Sequence, residues 1–225
     1  MIRWILGVLT CVMPLLASSG EFSSTLVVQT GFLREGDLVV RNISDLVSKK
    51  TCLTFYIRTA GTSPVTDCYD VVGDFGANVR QAAHMREGDL IMRKVEDTKN
   101  NRACLVAYVG TPGTSPAVHC YTNAHRFREG LEIDSHLREG DLDIHRVADA
   151  SANTTCLVAF VDTDGTSPSV FCYPTKPEGV GGLRQQHQLR EGDLVVRKIV
   201  DNANGKSCLV SYVRTAGTSS RLFCF

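Results

Sequence analysis

The sequence predicts an all-β chain of four tandem 52-residue β-meander units, each closed by its own internal disulfide. Three observations predict it: a motif recurring at a constant step, a cysteine pair keeping the same step, and short β-branched runs separated by polar turns. REGDL stands at Arg34 to Leu38, Arg86 to Leu90, Arg138 to Leu142 and Arg190 to Leu194, each copy 52 residues after the last. The first cysteine of each copy falls at Cys52, Cys104, Cys156 and Cys208. The second falls at Cys68, Cys120, Cys172 and Cys224, and no insertion or deletion separates the copies.

Near its start the chain carries Arg3, an apolar run from Trp4 to Leu16, and the small residues Ala17, Ser18, Ser19 and Gly20. A basic start, a short hydrophobic stretch and a small-residue exit read as a signal peptide over residues 1–19. The run is short for ~30 Å of hydrocarbon, which disfavours an uncleaved anchor. A lipid-modified Cys11 is a third reading, with Val8, Leu9 and Thr10 a poor match for it. The expected organisation is then residues 20–69, 70–121, 122–173 and 174–225 as units one to four. Cys11 leaves with the first segment, and the eight cysteines that remain read as disulfides of a secreted, extracellular protein.

Within a unit, the first strand signal is Leu38-Val39-Val40-Arg41, the second Leu53 to Ile57 and the third Val65 to Tyr69. Polar stretches such as Asp201 to Lys206 separate the first two runs, with Asn204-Gly205 suited to a positive-φ hairpin. Arg58 to Pro64 separates the second from the third, where Gly61 supplies a turn and Pro64 resists ladder pairing. Placing Cys52 opposite Cys68 in an antiparallel pair sets Thr54 against Thr66, Val106 against Val118, Val158 against Val170 and Val210 against Leu222. Three of those four are apolar cross-strand pairs, so the register predicts Cys52–Cys68, Cys104–Cys120, Cys156–Cys172 and Cys208–Cys224. Each bridge would close a loop worth about 3 kcal/mol by chain entropy. Zinc is the weaker reading, because no Cys-x-x-Cys spacing exists.

The second run is apolar on both faces, with Leu105, Ala107 and Val109 on one and Val106 and Tyr108 on the other. Such a strand needs cover on both sides, so the copies must stack or close on one another. Segments before each REGDL, Ser24 to Thr30 in the first copy, suggest a fourth strand per unit, although Val79 to Ala83 could pass for a helical turn. Four such units suit a small propeller-like ring. Two packed β-sandwiches or a row of beads are the alternatives.

Basic and acidic residues number 24 each, and losing Arg3 leaves the mature chain at −1. No basic stripe or acidic tail points to nucleic acid or anionic membrane, and no later segment is apolar enough to span a bilayer. REGDL reads first as a tight turn: Gly36 takes a conformation other residues avoid, and one Glu with one Asp falls short of a calcium loop. The hairpin tips are the better binding candidates, because function commonly lives on loops held by a rigid frame. Their residues are Arg58, Thr59 and Thr62; Thr111 and Thr114; Asp162, Thr163 and Thr166; and Arg214, Thr215 and Thr218. An arginine tip could imitate a protease substrate, but Gly61 and Pro64 argue for a turn. Tyr56, Tyr108, Phe160 and Tyr212 recur as core aromatics rather than sugar platforms, and the histidines read as ordinary surface residues with no metal spacing. Asn42 and Asn153 head sequons that could carry glycans.

No nucleophile elbow, phosphate loop or zinc-protease helix appears, and no cofactor is implied. Four equal copies suit repeated binding better than catalysis. The expected function is a secreted, lectin-like multivalent protein recognising an extracellular glycan or protein ligand. A structural matrix protein and a secreted protease inhibitor or effector are the alternatives.

Overall fold

A computed structural model describes residues 26–71, 76, 78–122 and 130–225. The expected signal peptide and parts of the stretches between copies lie outside them. Sixteen strands run in chain order through these residues, four to each copy, with no helix among the described residues. The first copy gives β1 (Val27–Glu35), β2 (Leu38–Asp45), β3 (Lys50–Ile57) and β4 (Val65–Asp70). The second gives β5 (Val79–Glu87), β6 (Leu90–Asp97), β7 (Arg102–Val109) and β8 (Ala117–Thr122). The third gives β9 (Leu131–Glu139), β10 (Leu142–Asp149), β11 (Thr154–Val161) and β12 (Ser169–Pro174). The fourth gives β13 (Leu183–Glu191), β14 (Leu194–Asp201), β15 (Lys206–Val213) and β16 (Arg221–Cys224).

Each copy is one four-stranded antiparallel meander in which chain neighbours are sheet neighbours. REGDL is the β1–β2 hairpin: Glu35 pairs Leu38, leaving Gly36 and Asp37 as a two-residue turn with Gly36 at φ +60°. That follows the II′ pattern, which needs glycine at its first central position. The second hairpin of each copy also requires positive φ at one position, filled by Lys49, Asn101, Asn153 and Gly205. Val79 to Ala83 lies in strand β5, not in a helical turn. The cross-strand register of the cysteines is as the sequence predicts, Thr54 on Thr66 and Val106 on Val118 included, and all four disulfides close within their own copy.

The four sheets stack face on face in chain order, and three apolar clusters fill the three joints. The first joint sets Leu38, Val40, Leu53 and Phe55 of sheet one against Val95, Val106 and Tyr108 of sheet two. The second sets Leu90, Met92 and Leu105 against Val147 and Val158, and the third sets Leu142, Ile144 and Leu157 against Val195, Ile199 and Val210. Every joint therefore joins the same two surfaces, the forward face of one copy and the rear, disulfide-bearing face of the next. Because β7 and β11 sit in the two inner sheets, nearly all their residues are buried, whereas β3 and β15 alternate buried and half-exposed.

The stack stays open, so the expected propeller-like ring is not formed. No apolar cluster among the described residues joins sheet one to sheet four. Leu189, Phe223 and Phe225 on the forward face of sheet four remain 72%, 62% and 60% exposed. The physical reason is that each joint uses the forward face of one sheet and the rear face of the next, which leaves one face of the first sheet and one of the last without a joint among the described residues. The alternative of two packed sandwiches also fails, since the middle joint is packed like the outer two.

Candidate functional site

The tips between the third and fourth strands of each copy gather along one edge of the stack. Within a tip, the threonine before the serine is a brace. Thr62 Oγ1 donates to the carbonyls of Ile57 and Thr59 at 2.7 and 3.2 Å. Thr114, Thr166 and Thr218 repeat this on Val109 and Thr111, Val161 and Thr163, and Val213 and Thr215. Thr114 and Thr166 are buried. These threonines hold the tip's shape, and their hydroxyls already have partners. The hydroxyls of Thr59 and Thr163 are buried without a hydrogen-bond partner, while Thr111 and Thr215 give the brace its carbonyls.

What faces solvent is the variable pair of positions: Arg58, Gly110, Asp162 and Arg214, and Ala60, Pro112, Asp164 and Ala216, all exposed. Asp162 pairs with Arg138 at 2.6 Å across an exposed edge, and Arg214 Nε donates to Asp141 at 2.9 Å. Neighbouring tips touch backbone to backbone. Gly113 N–H donates to Ala60 O at 3.0 Å and Gly217 N–H to Asp164 O at 3.0 Å. A Cβ built on Gly61 would meet Gly113 Cα at 3.3 Å, and Gly61 lies at φ +80°, so both the turn and the contact demand glycine there.

Beneath the tips, Ser63 N–H donates to Ser115 Oγ and Ser115 N–H to Ser167 Oγ, both at 2.8 Å. Ser63, Ser115, Ser167 and Ser219, with Pro116 and Pro168, line a groove of about 380 Å³ that draws on all four copies. The fourth strands also carry an aromatic row, His119 to Phe171 at 5.3 Å and Phe171 to Phe223 at 5.5 Å between ring centroids. The sequence named the tip threonines but missed this serine ladder and the aromatic row, although both occupy constant phases of the repeat.

A second set of polar groups was also missed. At each joint the tyrosine that follows the second cysteine donates to an aspartate of the next sheet: Tyr69 to Asp97 at 2.6 Å, Tyr121 to Asp149 and Tyr173 to Asp201 at 2.7 Å. The same aspartates accept a second side chain from the preceding sheet, Asn42 on Asp97, Lys94 on Asp149 at 2.8 Å and Arg146 on Asp201 at 2.7 Å. Burial, then the adjacent carboxylate, drives the pKa of each phenol far above its usual value. Burial alone would raise Asp201, but hydrogen bonds from Asn204, Tyr173 and Arg146 hold its carboxyl below the ordinary range. The signal was available: Tyr and Asp recur one stride apart in phase, and only the last copy breaks it, with Phe225.

His136, Asp143 and His145 bring ligand atoms within 4.8 Å of one another. His145 is 2% exposed, so the expectation of ordinary surface histidines fails there. The two rings stack nearly parallel at 4.6 Å, and both Nε2 atoms meet the same Oδ1 of Asp143, His145 at 3.4 Å and His136 more closely. The arrangement is therefore a carboxylate bridged by two imidazoles. Tyr108 and Tyr212 lie in the joints and hydrogen-bond Arg93 and Arg197, as core aromatics. Phe160 stacks on His145 at 5.9 Å. Tyr56 lies half-buried on the open rear face of sheet one.

Of the two sequons, Asn153 is exposed at its hairpin turn, whereas Asn42 is fully buried and engaged with Thr30 and Asp97. A glycan on Asn42 is incompatible with that packing. No helix among the described residues is long and apolar enough to cross a membrane. No family model matches the chain, and neither a curated protein nor a solved structure resembles it at a significant level.

Proposed function

We propose that the chain is a secreted, lectin-like multivalent binding protein that engages an extracellular glycan or protein ligand along its row of tips. The observation that carries this reading is the groove of about 380 Å³ assembled from the same positions of all four copies. Its serine hydroxyls offer polar contacts at a repeated spacing, and Val65, Val118, Val170 and Leu222 offer apolar ones beside them. Exposed tip residues vary along the row, with arginine at Arg58 and Arg214 in the outer copies and Gly110 and Asp162 in the inner two. Four disulfides fit an oxidising, extracellular setting. Four linked weak sites would raise avidity by ~10²–10⁴ over a single site when geometry allows simultaneous contact.

A glycan array followed by titration with mono- and multivalent forms of each hit tests this. Expected is measurable binding that strengthens steeply with ligand valency and weakens when Ser115 and Ser167 are both replaced by bulky leucine. Silence on glycan and cell-surface protein arrays, or equal affinity for monovalent and multivalent forms, would overturn it.

A further inference from the structure

The two ends of the stack carry opposite halves of a joint already made three times within the chain. Sheet one leaves its rear face open, where Val27, Ile43 and Tyr56 help line an apolar hollow of about 460 Å³. Sheet four leaves its forward face open, with Leu209 and Phe223 exposed. These are not arbitrary surfaces. Arg41, Ile43, Tyr56 and Arg58 on the open rear face are the same residues, at the same repeat phase, as Arg197, Ile199, Tyr212 and Arg214. The latter set is docked on sheet three, where Tyr212 donates to Asp141 Oδ1 at 2.7 Å and Arg214 to its Oδ2 at 2.9 Å.

On the open forward face, Asp193 stands exposed at the phase of Asp141, and Leu194 and Leu209 stand at the phases of Leu142 and Leu157. Charges match in the other direction too. Lys198 occupies the phase of Lys94, which binds Asp149 across the middle joint at 2.8 Å. Asp45 occupies the phase of Asp149 and meets only its own turn, accepting from Val47 and Ser48 N–H. Departures include Phe225, which lacks the hydroxyl that Tyr69, Tyr121 and Tyr173 place on that aspartate, Thr54, which stands where the docked rear faces carry Val106, Val158 and Val210, and Ser211, which stands where the docked forward faces carry Phe55, Ala107 and Ala159.

We infer that the forward face of sheet four binds the rear face of sheet one of a second copy of this chain, head to tail, with Lys198 on Asp45 and Asp193 on Tyr56 and Arg58. The contact is heterologous, so each added copy exposes a fresh end, and the assembly closes only where the rotation between copies allows it.

Sedimentation velocity over a concentration series of the disulfide-bonded chain tests this, using two end-blocked variants. Leu209→Asp blocks the forward face and Thr54→Glu blocks the rear face, and both positions are at least partly exposed in the single chain. Expected is association of the wild type into multiples of the monomer, loss of association in each variant alone, and a 1:1 dimer when the two are mixed. Phe223→Ser should behave as Leu209→Asp does, and melting curves check that all variants remain folded. A wild type that stays monomeric, folded blocked variants that still self-associate, or a mixture that stays monomeric would each overturn the inference. A symmetric dimer formed through sheet four alone would overturn it as well, and Thr54→Glu would reveal that case by remaining dimeric.

Discussion

Lys94 is withdrawn from water completely, together with Glu96 and Asp149, and Ser151 Oγ accepts a further bond from its ammonium at 2.6 Å. Removing the cation would leave two buried carboxylates without the ammonium that both share, although Arg80 still pairs with Glu96 at 2.9 Å. Lys94→Met is expected to cost about 3–5 kcal/mol in denaturant unfolding. Lys50→Met, whose partner Asp70 is 82% exposed along its side chain, should leave the unfolding midpoint almost unmoved. Histidine gives a second residue-scale expectation. Burial holds His145 below its usual value of 6.5, a shift that Asp143 and Glu87 oppose and His136 reinforces. The unfolded chain then takes up that proton more readily than the folded one, so stability falls as pH drops through 6.5 and below. Melting temperature measured against pH should decline on the acid side, and His145→Leu should flatten the decline, leaving the contributions of His119 and His84, both also depressed by burial.

Hairpins are the elements that the sequence makes most legible. A period of two fixes which side chains share a face, and the paired cysteines fix the register, so Cys104 on Cys120 brings Val106 to Val118 without further information. Local chemistry gave the turns as well, because Gly36 and Gly61 sit where a side chain would be strained. The opening strand of each copy was harder to read. Gln81, Ala82 and Ala83 favour helix by propensity, and only pairing with β6 through a bulge between Gln81 and Ala83 makes them strand. The same bulge recurs in β1 and aims Thr30 at Asn42, a contact invisible until the bulge is known. The tips were legible as loops but not as donors and acceptors, since Thr114 and Thr166 turn inward. Thr114→Val should therefore lower stability by about 1 kcal/mol in chemical denaturation while leaving ligand binding unchanged.

Contacts between sheets were the least legible, because nothing local tells which face of one copy meets which face of the next. Once the joints are known, stability becomes a sum over neighbours rather than a property of one core. The inner sheets have two joints each and the outer sheets one, so hydrogen exchange should be slowest in β7 and β11 and faster in β3 and β15. Excising residues 78–129, one full stride, would bring Asn42 and Tyr69 against Asp149. That shortened chain should fold cooperatively with its three remaining disulfides, as circular dichroism and a thiol assay would show. An uncovered hydrophobic end at Phe223 has a consequence for evolution as much as for solution behaviour. A lineage could change its reach by whole increments of duplicated gene sequence, because the last copy is always ready to receive another and the existing seams need no revision.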